Sequence, residues 1–146
     1  MRWNTPASRR VVGALALLGA ALIAGLTLVW VQEGRWRSPL YCISAPGTLW
    51  NGLAPLPPAF EPRCPPSQSY RREVRAGQSR VEQYRVAGWQ PRAVADLLRS
   101  AGYVLIEDEL RGADHYSAFL GRTVPAELHY TAVRDGDDTL ITVSGP

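Results

Sequence analysis

The stretch Leu128-His-Tyr-Thr-Ala-Val-Arg-Asp-Gly-Asp-Asp-Thr-Leu-Ile-Thr-Val-Ser144 decides the fold of the globular part of this chain. Its first half, read from Ala126 to Arg134, places Leu128, Tyr130 and Ala132 on one face and His129 and Thr131 on the other. Its second half does the same, with Thr139, Ile141 and Val143 opposite Asp138, Leu140, Thr142 and Ser144. Period-two alternation is the signature of a strand with one buried face, because successive side chains leave opposite sides of the pleat. Asp135-Gly136 between the halves is a hairpin turn.

Working outward, Arg80–Ala87 reads as a strand through Val81, Tyr84 and Val86, and Gly88 ends it. A helix starting at Pro91 follows, with Val94, Ala95, Leu97, Leu98 and Ala101 on its apolar face and Gly102 as its stop. Tyr103–Leu110 reads as a strand around Val104, Leu105 and Ile106. Arg111–Asp114 is a turn, and His115–Gly121 is the returning strand, with Tyr116, Ala118 and Leu120 together. The alternative for 107–121 is a second short helix. The order of elements predicts an α+β fold: one helix packed on a mostly antiparallel sheet of about four to five strands, over residues 67–146.

Residues 11–31 are of a different kind. Val11 to Val31 is a run of 21 uncharged, mostly apolar residues, long enough to cross the hydrocarbon layer as a single transmembrane helix. A cleaved signal would have a shorter apolar core and a small-x-small site, whereas this run ends Trp30-Val31-Gln32-Glu33. Arg9 and Arg10 flank it on one side and Trp30 and Trp36 on the other, as membrane-interface anchors do. Three arginines precede the run, in a basic tail over residues 1–10, against two just after it. The positive-inside rule therefore predicts a cytoplasmic N-terminus and an extracytoplasmic domain at the inner membrane. Small residues at four-residue spacing, Ala16, Ala20 and Ala24, would let two such helices pair as a homodimer.

Between anchor and domain, residues 32–66 hold eight of the twelve prolines and both cysteines. Proline-dense sequence predicts an irregular, semi-rigid stalk. Cys42 and Cys64 outside the membrane predict a disulfide closing a loop in that stalk.

The sequence pI of 9.2 does not signal nucleic acid. All 16 basic residues are arginine, and beyond the anchor 13 of them face 13 acids. The excess of three is Arg2, Arg9 and Arg10, on the tail rather than on a folded domain.

Two short likenesses accompany these readings. Gly88, Leu98, Ala101-Gly102 and Thr139–Gly145 resemble the PASTA domain of envelope proteins. Val81–Gly88, with Ala132-Val133-Arg134 and Asp138–Val143, resembles the POTRA module of division and outer-membrane assembly proteins, which would require a helix near 107–121. The two conflict and neither is adopted; each implies a binding module held outside the inner membrane.

Chemistry is sparse. The two histidines are His115 and His129, and no Gly-x-Ser-x-Gly is present. Asp135-Gly136-Asp137-Asp138 lacks the ligand spacing of a calcium loop, and no set of residues has metal-site spacing. No catalytic residue, metal or cofactor is assigned. The sequence predicts a membrane-anchored binding or assembly domain, an accessory subunit of a cell-envelope complex whose partner is an envelope protein or polymer. Its contact surface is expected on His129, Thr131 and Thr142 and on Arg71, Arg72, Arg75, Arg80 and Arg85. The alternative is a tethered or secreted hydrolase using His115 or the acidic cluster of Glu107, Asp108 and Glu109.

Overall fold

The computed structural model describes residues 6–122 and 127–146. Contacts divide the chain into two units, the first ending at Ser38 and the second running Pro39–Pro146. The first unit is one helix, α1 (Pro6–Arg37), which contains the apolar run. By length and composition Leu15–Arg37 can cross a membrane, as an anchor or a signal sequence does. Its aliphatic side chains are exposed, and the Thr27 hydroxyl donates back to the Ile23 carbonyl at 3.0 Å. That bond satisfies a polar group that lipid could not.

The second unit contains β1 (Thr48–Leu49), β2 (Ala54–Pro55), β3 (Glu61–Arg63), α2 (Gln68–Arg75), β4 (Arg80–Ala87), α3 (Ala93–Ser100), β5 (Val104–Arg111), β6 (His115–Gly121), β7 (Leu128–Asp135) and β8 (Asp138–Gly145). Strands β3 to β8 form one antiparallel sheet in the order β3-β4-β8-β7-β6-β5, and β1 pairs with β2 in a small ribbon. The α+β class is as expected, but with six strands in the main sheet and a second short helix. The β7–β8 hairpin pairs Asp135 with Asp138, leaving Gly136 and Asp137 as a two-residue turn. Gly136 has φ +66°, which the first position of a type II′ turn requires. Residues 107–121 form the β5–β6 hairpin, so the helix that the POTRA likeness needs is absent. The helix expected from Pro91 begins at Ala93, and Ala126 lies outside the described residues.

Alternation assigns the faces. Tyr84, Val86, Tyr116, Ala118, Leu120, Leu128, Tyr130, Ala132, Ile141 and Val143 are buried on one side and form a single core. Two covers close it. One is α3, through Val94, Ala95 and Leu98. Thr139 fixes its approach: buried among apolar residues, it accepts from the Gln90 backbone N–H at 2.8 Å and donates to the Gly88 carbonyl.

The other cover corrects the expected stalk. Leu49 and Trp50 are core residues, and Leu53, Ala54, Leu56 and Phe60 pack against them. Strand β3 then pairs with β4, Glu61 opposite Arg85 and Arg63 opposite Gln83. The proline-rich segment from Pro39 is therefore part of the domain. The reason is area: α3 is only eight residues long, about 12 Å of helix, too short to cover six strands. The Cys42–Cys64 disulfide is formed and clamps the ends of this segment, with Tyr41 and Cys42 buried beside it. The Tyr41 hydroxyl donates to the Pro65 carbonyl at 2.9 Å.

Candidate functional site

The face of the sheet opposite the core is the candidate. The pairing register lines up one row across all six strands: Arg63, Gln83, Thr142, Thr131, Ser117 and Glu109. Gln83 Nε2 donates to Thr142 Oγ1 at 2.9 Å, and Thr131 lies directly opposite Thr142. A parallel row holds Ser144, His129, Phe119 and Glu107, where the Phe119 and His129 rings stack at 5.1 Å between centroids. Next to it on the other side lie Arg85, Leu140, Val133 and His115. A shallow depression of about 470 Å³ spans the β5–β7 part of this face, from Glu107 and Glu109 to His129 and Thr131.

The structure thus brings His129, Thr131 and Thr142 onto one surface and adds Arg85, which pairs with Asp135 and with Asp138 at 3.3 Å. The remaining arginines of the expected surface lie on two different elements. Arg71, Arg72 and Arg75 sit on α2, where the Arg71 guanidinium stacks 4.2 Å above the Tyr41 ring. Arg80 points to the core side, 5.2 Å above the Trp50 ring. Of the membrane flanks, Trp30 is exposed on α1 and Trp36 carries Arg35 over its ring at 5.2 Å. Arg9 and Arg10 belong to α1, with side chains outside the described set.

The residues considered for hydrolysis come together on this face: His115 and Ser117 line the shallow depression with Glu107, Asp108 and Glu109. The acids are engaged separately: Asp108 pairs with Arg92 at 3.0 Å and accepts from the Tyr116 hydroxyl at 3.1 Å. Glu109 pairs with Arg111 at 2.8 Å. Among the described residues no group of three or more His, Cys, Asp or Glu side chains could hold a metal ion.

One arrangement escaped the sequence reading. Glu82 is buried at 1% exposure beneath the Leu49–Trp50 segment. Its Oε2 accepts from the Tyr84 hydroxyl, and that hydroxyl accepts from the Trp50 backbone N–H at 3.0 Å. Oε1 makes no hydrogen bond and lies 3.7 Å from Arg80 Nε. Burial raises the Glu82 carboxyl above the usual Glu value, opposed by the Tyr84 hydrogen bond and the Arg80 charge. Burial also raises the Tyr84 hydroxyl, with the Glu82 charge adding to it. A signal was present, because Glu82 is in phase with Tyr84 and Val86 and so must face inward. Trp50 and Asn51 next to it have φ +45° and +53°, a left-handed pair held by these contacts.

Compared with family models, with curated proteins and with solved structures, the chain matches none of them.

Proposed function

We propose that this chain is a single-pass membrane-anchored protein presenting a small extracytoplasmic domain for binding or assembly, as an accessory subunit of a cell-envelope complex. The observation that carries the reading is the unequal coverage of the sheet. One face is closed by α3 and the disulfide-clamped segment, while the other is covered by α2 only beside β4, at Val81. That second face presents a continuous polar row from Arg63 to Glu109 with the Phe119–His129 pair beside it. A broad face with aromatic, hydroxyl and charged groups around an open, shallow depression suits contact with a protein or polymer better than it suits turnover of a small substrate.

Two further features support the tether and the compartment. The apolar stretch Leu15–Arg37 is long enough to span, and a disulfide suits an oxidising space. The inner membrane, the cytoplasmic N-terminus, and contact with lipid and an envelope partner belong to this proposal, as does pairing through Ala16, Ala20 and Ala24.

The test has two arms. Intact cells are treated with a membrane-impermeant thiol reagent, with and without reductant; labelling only after reduction supports an external, bonded Cys42–Cys64 pair. Labelling only after lysis, with no reductant needed, overturns the topology. Separately, a photo-crosslinking residue at Thr142 or Thr131 is activated in native membranes. A discrete adduct there, absent when the residue is placed at exposed Arg99 on α3, supports the face. No adduct, together with no binding to cell-wall material or lipid, removes the binding reading.

A further inference from the structure

The two edges of the main sheet are unlike. At one, β3 is three residues long, contains Pro62 and runs into bonded Cys64, so little backbone is offered for pairing. At the other, β5 is eight residues long, contains no proline and, among the described residues, pairs with β6 alone. All of β5 except Leu105 is exposed, and among the described large hydrophobic residues of this unit its apolar members are the most exposed: Val104 at 67%, Ile106 at 60% and Leu110 at 56%. A helix could hide such an edge, but α3 stops short of it. A groove of about 390 Å³ separates α3 from β5 on the core side, lined by Arg92, Asp96, Arg99, Leu105, Asp108 and Tyr116. Side chains of an added strand would have room there.

We infer that β5 is a strand-addition site that takes an extended, basic segment of a partner protein, apolar where it meets Val104 and Ile106. The inference rests on the binding reading above and names the partner's chemistry. Strand addition supplies main-chain hydrogen bonds along the free edge, and side chains alternating above and below supply selectivity. The charge of β5 selects the occupant. Of the acids at its centre, Asp108 is paired with Arg92 and Glu109 with Arg111, while Glu107 makes no ion pair among the described residues and Asp114 follows in the turn, so the edge keeps a net negative charge.

The same acids argue against a second copy of this chain. Symmetric antiparallel pairing of β5 with itself about Asp108 puts Asp108 opposite its own copy and Glu107 opposite Glu109 twice, and like charges facing across strands are unfavourable. A lysine- or arginine-bearing strand meets attraction instead.

The test uses the full chain in detergent micelles and two blocked octapeptides, one alternating valine with arginine and one alternating valine with glutamate. Binding is titrated, and amide hydrogen exchange is followed by mass spectrometry over residues 104–111. The expected result is binding of the basic peptide about tenfold tighter than of the acidic one, with slowed exchange over β5. Glu107→Arg, at an exposed edge position, should narrow or invert that preference without lowering the thermal midpoint. Equal affinity for the two peptides overturns the inference, as does binding that leaves β5 exchange unchanged. Protection of β5 that rises with protein concentration and needs no peptide also overturns it, in favour of self-pairing. Failure here with a crosslink still formed at Thr142 removes the edge site and leaves the binding reading standing; failure of both removes both.

Discussion

Truncation of Leu49 to alanine distinguishes a packed proline-rich segment from a spacer. Leu49 is fully buried and belongs to the main core. Leucine-to-alanine changes at such sites cost about 2–5 kcal/mol, the higher values where the surroundings cannot collapse into the void. Collapse is restricted here on three sides. The Leu53 N–H donates to the Leu49 carbonyl at 3.0 Å, the Trp50 N–H is held by Tyr84, and the disulfide fixes the ends of the segment. We therefore expect a loss of about 3 kcal/mol. Against a typical total of about 5–15 kcal/mol this is a fifth or more of the stability. With a urea slope of about 1.5 kcal/mol per molar, the midpoint falls by about 2 M. The assay is urea unfolding of the full chain in detergent, followed by tryptophan fluorescence. Leu40→Ala is the control, because Leu40 lies in the same segment at 40% exposure and should move stability by less than about 0.5 kcal/mol. If Leu49→Ala and Leu40→Ala unfold at the same urea concentration, the segment is a spacer and the two-cover core is wrong.

Three further outcomes follow from other contacts. Because burial raises the Glu82 carboxyl above its usual 4.5, the folded state holds a proton that the unfolded chain has released. Its contribution is complete below that value and declines as pH rises through the raised one; Glu82→Gln should flatten this slope, and an unchanged slope in urea midpoints refutes it. Removing the Cys42–Cys64 bond, whose partners are 22 residues apart, should cost roughly 3 kcal/mol by chain entropy alone, read from unfolding of Cys42→Ala/Cys64→Ala. Gly145→Ala should cost about 1–3 kcal/mol, because the new methyl meets buried Leu128 at 2.7 Å and Trp50 at 3.4 Å. Gly121→Ala, whose methyl meets only the exposed Ile106 side chain, should be nearly neutral, and thermal melting of the two variants side by side checks both values.

The strands were legible in the sequence where one face is wet. Leu128–Asp135 and Asp138–Gly145 alternate strictly, and the structure buries Leu128, Tyr130, Ala132, Ile141 and Val143 accordingly. Arg80–Ala87 is the expected strand, but Val81 is out of phase with Tyr84 and Val86 and is buried on the other side, where α2 lies against β4. Helix α2 itself was not legible: Gln68–Arg75 has no buried residue and hence no apolar stripe. The second cover was missed because proline content reports the absence of regular structure, not of packing. The depth of Leu49 depends on the disulfide and on Tyr84, both distant in sequence. The polar face was readable from the same alternation that gave the strands. The free edge was not, since strand order is decided by long-range pairing.

The position of β8 has a consequence for synthesis. It lies between β4 and β7, yet it follows both in the chain. While the chain is being made, β4 waits with one side open, and the β5-β6-β7 meander presents a second open side. Neither half can join the other until Asp138–Gly145 has emerged. Ile141 and Val143 bring the last central layer of apolar atoms with them. Contacts that close over more than fifty residues, as between Val86 and Thr139, form slowly. A nascent chain of this design is therefore exposed to chaperones, and to faulty pairing with its neighbours, until this late strand inserts.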